Sequence, residues 1–196
     1  MLNLKQIFAD FLKIDIADDA ENAFDNAIPL PLRELYAIKN AYNKVKPNNE
    51  LFVNQDRLTF ENKLDLSKNR YPFLVENQGN WQCLLENGVE NPRVFTTNLE
   101  GNDVVIYSLE DLLAVFALQE LTFELQHISY CHWETIQIKS LFPNIKILLE
   151  NKSYVYQGSN HSYYSLENEI IFADISNLTC ITSNNLVKLH KVEQLL

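Results

Sequence analysis

Two apolar runs around a short polar stretch constrain this chain most. The segment "RYPFLVENQGNWQCLLENG", residues 70–88, holds two of the four glycines among 196 residues. A two-residue turn at Gln78 and Gly79 would place the glycine at a positive φ, which it adopts without steric cost. The segment therefore predicts a β-hairpin. The pairs that this turn implies are Asn77–Asn80, Glu76–Trp81, Val75–Gln82 and Leu74–Cys83.

Glu76 stands out within this hairpin. Because side chains alternate across a strand, Glu76 shares the apolar face with Trp81. The other members of that face are Leu74, Cys83 and Leu85. An unpaired buried carboxylate is costly, so we expect Glu76 to accept a hydrogen bond from a backbone N–H or from an arginine such as Arg70 or Arg93.

The composition is that of a globular protein. Hydrophobic residues make up 46% of the chain, enough for a substantial core. The sequence contains no apolar run long enough to span a membrane, and its start lacks the features of a signal peptide. The cysteines Cys83, Cys131 and Cys180 are odd in number and widely spaced, which does not indicate a disulfide framework. These features predict a cytoplasmic protein with no membrane contact.

Negative charge is concentrated in the first part of the chain. Residues 1–125 contain 20 acidic and 11 basic residues, whereas residues 126–196 contain 6 and 5, for a total net charge of −10. This balance argues against direct nucleic-acid binding, which needs a basic surface, and favours either solubility or a basic partner. Residues 15–25 hold five acids and no base, and are either a solvated loop or a contact surface. The candidate contact residues in this acidic segment are Asp15, Asp18, Asp19 and Glu21.

Hydrophobic periodicity predicts an α+β fold. Apolar residues recur at helical spacing in residues 2–14, in residues 31–45 and after Ser108, a good N-cap for a long helix with apolar residues around much of its circumference. Residues 184–196 predict a terminal helix capped by Ser183 or Asn184, and Gly158–Asn160 predicts a turn. The short strands between them favour a mainly antiparallel sheet with N-terminal helices and a long helix packed against it.

The stretch "ELQHISYCHWE" is the strongest candidate for catalysis. If the preceding helix continued through it, His127 and Cys131 would share a face, but His132 would point about 100° away. A zinc site would need further ligands from elsewhere, such as His161. Packing of these side chains in the core is the simpler interpretation, and we assign no catalytic, metal or cofactor site.

Three stretches, taken in order, resemble the SUKH superfamily. The first is "IPLPLRELYAIKNAYN", which is similar to the family's proline-led helix before the sheet. The second is "PFLVENQGNWQCLL" with "NPRVFTTN", which is similar to the family's "ENQG" hairpin and the next strand. The third is "YSLEDLLAVFALQELTFE", which is similar to the family's Ser-Leu-led helix. The family's usual Asn-Gly after the first helix is absent. The resemblance covers about residues 25–125. It implies a SUKH-like core domain over residues 1–125, with residues 126–196 either completing that domain or forming an α+β extension.

The resemblance also implies a function. SUKH proteins include bacterial immunity proteins that bind and neutralise toxins without catalysis, and fungal regulators of cell-wall synthesis. We therefore expect a cytoplasmic immunity protein whose partner is a basic toxin domain, typically a nuclease. The alternative is an intracellular scaffold or regulator of the same fold with no toxin partner. In the hairpin, the candidate contact residues are Glu76, Asn77, Gln78 and Trp81, with packing inside the fold as the simpler role for Trp81.

Overall fold

The computed structural model describes residues 2–89, 92–97, 103–106, 108–155, 160–175 and 178–196. These residues form two antiparallel five-stranded sheets and five α-helices, which confirms the predicted α+β class. In chain order the helices are α1 (Leu4–Leu12), α2 (Leu30–Val45), α3 (Leu109–Glu124), α4 (Thr135–Leu141) and α5 (Leu186–Glu193). The strands are β1 (Asp56–Leu58), β2 (Arg70–Glu76), β3 (Gln82–Glu86), β4 (Val94–Thr97), β5 (Asp103–Ile106), β6 (His127–Tyr130), β7 (Lys146–Ser153), β8 (Asn160–Leu166), β9 (Ile170–Ile175) and β10 (Leu178–Ser183).

The first two helices form where the periodicity predicts them. α1 buries one stripe of side chains, and Pro31 lies in the first turn of α2, where its missing N–H leaves no bond unmade. The buried residues of α2 include five apolar or aromatic side chains at helical spacing, namely Leu32, Leu35, Tyr36, Ile38 and Tyr42. Within the described residues, no helix combines the length and apolar character needed to cross a bilayer.

The first sheet follows the order of the chain, β1-β2-β3-β4-β5. Its β2–β3 pair has the predicted register at Leu74–Cys83 and Val75–Gln82. An irregularity then inserts one extra residue between Pro72 and Leu74, so that Tyr71 lies opposite Leu85. Proline has no N–H for the strand ladder and is typical of such bulges. The bulge returns Tyr71 to the buried side of the sheet.

The long helix α3 lies between other elements. The side chain of Ser108 caps it by accepting a hydrogen bond from the Asp111 N–H at 3.1 Å, as predicted. The helix packs against α2, β7 and β9, and residues 112–122 are all buried. This position explains why apolar residues occupy most of its circumference.

The second sheet, ordered β6-β10-β9-β8-β7, contains the main departures from the sequence predictions. Residues 127–130 form a strand that pairs with β10, so the preceding helix does not continue through them. Asn185 caps α5 by accepting from the Lys188 N–H, whereas Ser183 accepts from Asn185; the predicted cap was therefore wrong by one or two residues. The predicted turn at Gly158–Asn160 lies largely outside the described residues.

One buried cluster draws side chains from both parts of the chain. Around Phe116 on α3 it joins α1 and the first sheet to residues of the second sheet, among them Leu149, Tyr163, Ile171 and Cys180. A second, smaller cluster surrounds Trp133 and Phe172 on the other side of the second sheet. The second sheet therefore has apolar cores on both faces.

Truncation of a core isoleucine is expected to destabilise the fold strongly. Ile38 on α2 is fully buried, so Ile38→Ala removes apolar contacts and leaves a cavity. We expect the free energy of unfolding in urea to fall by about 2–5 kcal/mol.

The matched control is Ile136→Ala on α4, because Ile136 is 81% exposed. That variant should stay within about 0.5 kcal/mol of the wild type. Equal losses in the two variants would contradict the packing of α2 described here.

Candidate functional site

The hairpin tip is built around the Glu76 carboxylate. Its Oε2 accepts a hydrogen bond from the Asn80 backbone N–H at 2.8 Å, and its Oε1 accepts from Asn80 Nδ2 at 3.2 Å. Of the two expected kinds of donor, the backbone N–H is the one found, and Arg93 instead pairs with Glu86. Glu76 thus closes the loop that follows its own strand.

The turn is shifted by one residue from its predicted position. The Gly79 N–H donates to the Glu76 carbonyl at 2.9 Å, so Asn77 and Gln78 are the central residues. Gly79 has a φ of 78° and takes the left-handed position after the turn. The Glu76 N–H donates to the Trp81 carbonyl, which preserves the predicted pairing across the hairpin.

The segment before β1 is fixed by a buried carboxylate on α3. Glu120 is fully buried, and its two oxygens accept from the backbone N–H groups of Asn54, Gln55 and Asp56 at 2.6, 2.7 and 3.2 Å. Asn77 binds the same segment from the hairpin side, because its Nδ2 donates to the Asn54 carbonyl at 3.1 Å. The segment is therefore held between the helix and the hairpin tip.

Two carboxylates face each other beside this segment. Asp56 on β1 lies directly opposite Glu76 on β2, and like charges in this position destabilise a sheet. The Tyr154 hydroxyl donates to Asp56 Oδ2 at 2.7 Å. Burial, followed by the nearby Glu76 charge, raises the pKa of Asp56 to about 6, and the Tyr154 hydrogen bond opposes that rise. Across the described ranges, neither carboxylate has a cationic partner.

These groups surround a cavity of about 420 Å³, which we call the hairpin cavity. The residues that line it are Asn54, Gln55, Asp56, Glu76, Asn77, Gln78, Trp81, Gln119, Tyr154 and Val155. The rings of Trp81 and Tyr154 meet edge to face, with centroids 6.0 Å apart. All four predicted contact residues of the hairpin thus line one cavity, and Trp81 is also part of the buried core.

Gln119 is a mostly buried polar side chain of the hairpin cavity. It is only 7% exposed, and its amide has no hydrogen-bond partner within the part of the chain that the structure describes. Neither amide atom is among the fully buried polar atoms without a partner in the described residues, so the amide reaches the open space of the cavity. The cavity thus offers an unused donor and acceptor in addition to its carboxylates.

The predicted acidic segment is a separate surface. Asp15, Asp18 and Asp19 are exposed, and among the described residues none of them forms an ion pair. Glu21 differs, because Lys5 Nζ binds its Oε2 at 2.8 Å and lowers the pKa of Glu21. None of the four lines the hairpin cavity. The chain therefore presents two acidic regions.

The histidine and cysteine candidates do not assemble into a site. His127 lies on β6 and Cys131 follows that strand, where burial raises the pKa of the Cys131 thiol and keeps it protonated. His161 lies on β8 and packs against Tyr154, and burial lowers the pKa of His161 to about 4. Within the described residues, no three His, Cys, Asp or Glu side chains are grouped as a metal site would require.

Sequence reasoning missed Asp56, Gln119, Glu120 and Tyr154. The one signal available was a pair of polar residues, Gln119 and Glu120, in the middle of a helix that is apolar on several sides. Burial raises the pKa of Glu120 to about 7 against the opposing effect of three N–H donors. Chemically, the acceptors that line the cavity can bind a donor-rich or cationic group.

Comparison of the chain with protein-family models, with curated proteins and with solved structures found no match.

The raised pKa of Glu120 predicts a specific pH dependence of stability. Below pH 4.5 both the folded and unfolded states hold the proton, and between pH 4.5 and about 7 only the folded state does. Stability contributed by this group therefore falls as pH rises through that range, by about 3 kcal/mol. Asp56 acts in the same direction, and His161, whose pKa is lowered, acts in the opposite direction.

Urea unfolding of wild type and Glu120→Gln at several pH values isolates this contribution, because the other groups are shared. Between pH 4.5 and 7 the wild type should lose about 2–3 kcal/mol relative to Glu120→Gln. Glu110→Gln, an exposed position on the same helix, should follow the wild type. Parallel pH profiles for wild type and Glu120→Gln would contradict the raised pKa.

Proposed function

We propose that the chain is a non-catalytic immunity protein of the SUKH type, which binds and neutralises a cognate toxin in the cytoplasm. The expected toxin is a basic domain, a nuclease being the typical case. The observation that carries this proposal is negative charge without a cationic counterpart. Among the described residues, the carboxylates of Asp15, Asp18 and Asp19 and those of the facing Asp56 and Glu76 form no ion pair, although Lys5 donates to the Asp18 backbone carbonyl.

Uncompensated charge of this kind favours association with a positive surface. A nuclease surface is basic because it holds phosphates, and an acidic inhibitor gains association rate and complementarity against it. The hairpin tip and the acidic segment are the two regions named by sequence and resemblance as contacts. The acidic segment carries its charge on exposed side chains, and at the hairpin tip the Glu76 side chain is partly exposed, which supports a role in binding.

The carboxylates near the hairpin cavity also have roles in holding the fold together. Glu120 uses both oxygens to accept backbone N–H groups, and Asp56 accepts from Tyr154. A binding protein needs such groups to fix its surface, and a catalytic role is not needed to account for them. We therefore favour binding over catalysis.

The test has two parts. The protein is first used as bait in lysate of its native cell, at low and at high salt, and the captured proteins are identified by mass spectrometry. The gene of a captured toxin is then expressed with and without the chain. We expect capture of one protein with a basic toxic domain, lost at high salt, and restoration of growth when the chain is present.

Neutralising the acidic segment should weaken this capture. The triple variant Asp15→Asn, Asp18→Asn, Asp19→Asn should slow association with the toxin by about tenfold or more at low salt. The matched control carries Glu134→Gln, Glu167→Gln and Glu193→Gln, which changes the net charge equally in the later part of the chain.

Equal slowing in the two triple variants would show that net charge alone, and no particular surface, governs association. Capture of endogenous housekeeping proteins without any toxin would favour the scaffold or regulator instead. Failure of the chain to restore growth against a captured toxin would overturn the proposal.

A further inference from the structure

The hairpin cavity holds more hydrogen-bond acceptors than its own donors satisfy. Among the described residues, only Tyr154 donates to the Asp56 carboxylate, although Asp56 is 4% exposed. The Gln119 amide makes no hydrogen bond to that part of the chain and reaches only the open space of the cavity. Asp56 and Glu76 also face each other at directly opposed strand positions. A bound group that supplies positive charge and several N–H donors would relieve all three deficits.

We propose that the hairpin cavity binds the guanidinium group of an arginine side chain presented by the protein partner. The inference rests on the proposed function for the nature of the partner, because an immunity protein meets a folded protein surface. Asp56 and Glu76 would face the charge, and Gln119 would accept one of the remaining N–H groups. Trp81 and Tyr154 would form the aromatic wall.

Several features favour arginine over other cations. Guanidinium carries five N–H donors and no acceptor, which suits a cavity with unused acceptors. It is planar and packs on aromatic rings, whereas the ammonium of lysine is a strongly hydrated point charge. A hard metal ion would prefer more carboxylate ligands than the two that line the cavity.

The hairpin cavity can be reached from solvent. Four of its lining residues, Asn54, Gln55, Asn77 and Gln78, are exposed, whereas Asp56 and Gln119 are buried. Its volume of about 420 Å³ lies in the range of ligand-binding clefts, about 300–1,000 Å³. An arginine at the tip of a partner's loop could enter without movement of the sheet.

The test uses the whole protein and a small probe, so that it does not depend on the partner. The probe is Nα-acetyl-L-arginine methylamide, and its matched control is the citrulline analogue, which has the same shape without the charge. Binding is followed by two-dimensional ¹H–¹⁵N spectra, through the Trp81 indole N–H and the Gln119 side-chain amide. We expect saturable shifts of these two signals with the arginine probe and none with citrulline.

Two variants locate the binding. Asp56→Asn keeps an oxygen for the Tyr154 hydroxyl, so the fold should persist, and we expect about tenfold or weaker binding of the probe. Asp65→Asn, at an exposed carboxylate outside the cavity, should bind like the wild type. Gln119→Leu should also weaken binding of the probe. Gln126→Leu should leave that binding unchanged, because Gln126 is exposed and lies outside the cavity.

Several outcomes would overturn the proposal. These are equal shifts with the citrulline analogue, unchanged binding in Asp56→Asn, saturation of the same signals by Ca²⁺, and shifts spread over many surface carboxylates. Binding of free L-arginine at least tenfold tighter than the blocked probe would point to a metabolite and not to a partner side chain.

Failure of the cavity proposal can be distinguished from failure of the proposed function. If the toxin is captured equally by Asp56→Asn and wild type, the cavity proposal fails and the immunity proposal stands. If the probe binds as described but no toxin is captured or neutralised, the proposed function fails while the guanidinium site remains.

Discussion

The candidate site depends on three hydrogen bonds that the Glu120 carboxylate accepts from backbone N–H groups. Asn54 and Gln55 precede β1 and Asp56 begins this edge strand, so their N–H groups need acceptors from outside the sheet. A single carboxylate from α3 supplies them. It thereby fixes where β1 begins, which places Asp56 opposite Glu76.

From this point a chain of hydrogen bonds connects the parts of the molecule. Asn77 at the hairpin tip binds the same segment, and Tyr154, just after β7, binds Asp56 from the second sheet. The buried cluster around Phe116 also connects these parts, because it includes side chains from both sheets. The walls of the hairpin cavity are therefore connected to one another by hydrogen bonds and packing, although several of its lining residues are exposed.

Features set by nearby residues could be predicted from the sequence. The stripe of α1, the Ser108 cap and the pairing of Leu74 with Cys83 all follow from periodicity or from a single turn. The strand at residues 127–130 could not be foreseen, because its partner β10 lies about fifty residues away and pairing with it decides against a helix. The turn at the hairpin tip lies one residue before its predicted position. The Glu76 side chain favours this position because it accepts a hydrogen bond from the Asn80 N–H and so holds residues 77–80 as a loop.

The candidate site was predictable only on its hairpin side. Glu76, Asn77, Gln78 and Trp81 are close in sequence, and the polar tip marks them out. The other walls come from α3 and from the residue after β7, at separations of 64 residues for Glu120 and Asp56 and 98 for Tyr154 and Asp56. Such pairs depend on how the helix and the two sheets pack, which local pattern does not encode.

The hydrogen bond between Tyr154 and Asp56 also bears on the order in which a ribosome produces the parts of this site. Asp56 and the hairpin leave the exit tunnel long before Tyr154, and Glu120 follows the hairpin. Throughout that interval the Asp56 carboxylate lacks its hydroxyl donor and one of the cavity's aromatic walls. Closure of the hairpin cavity thus waits until the residues around Tyr154 have been synthesised, well after the hairpin itself.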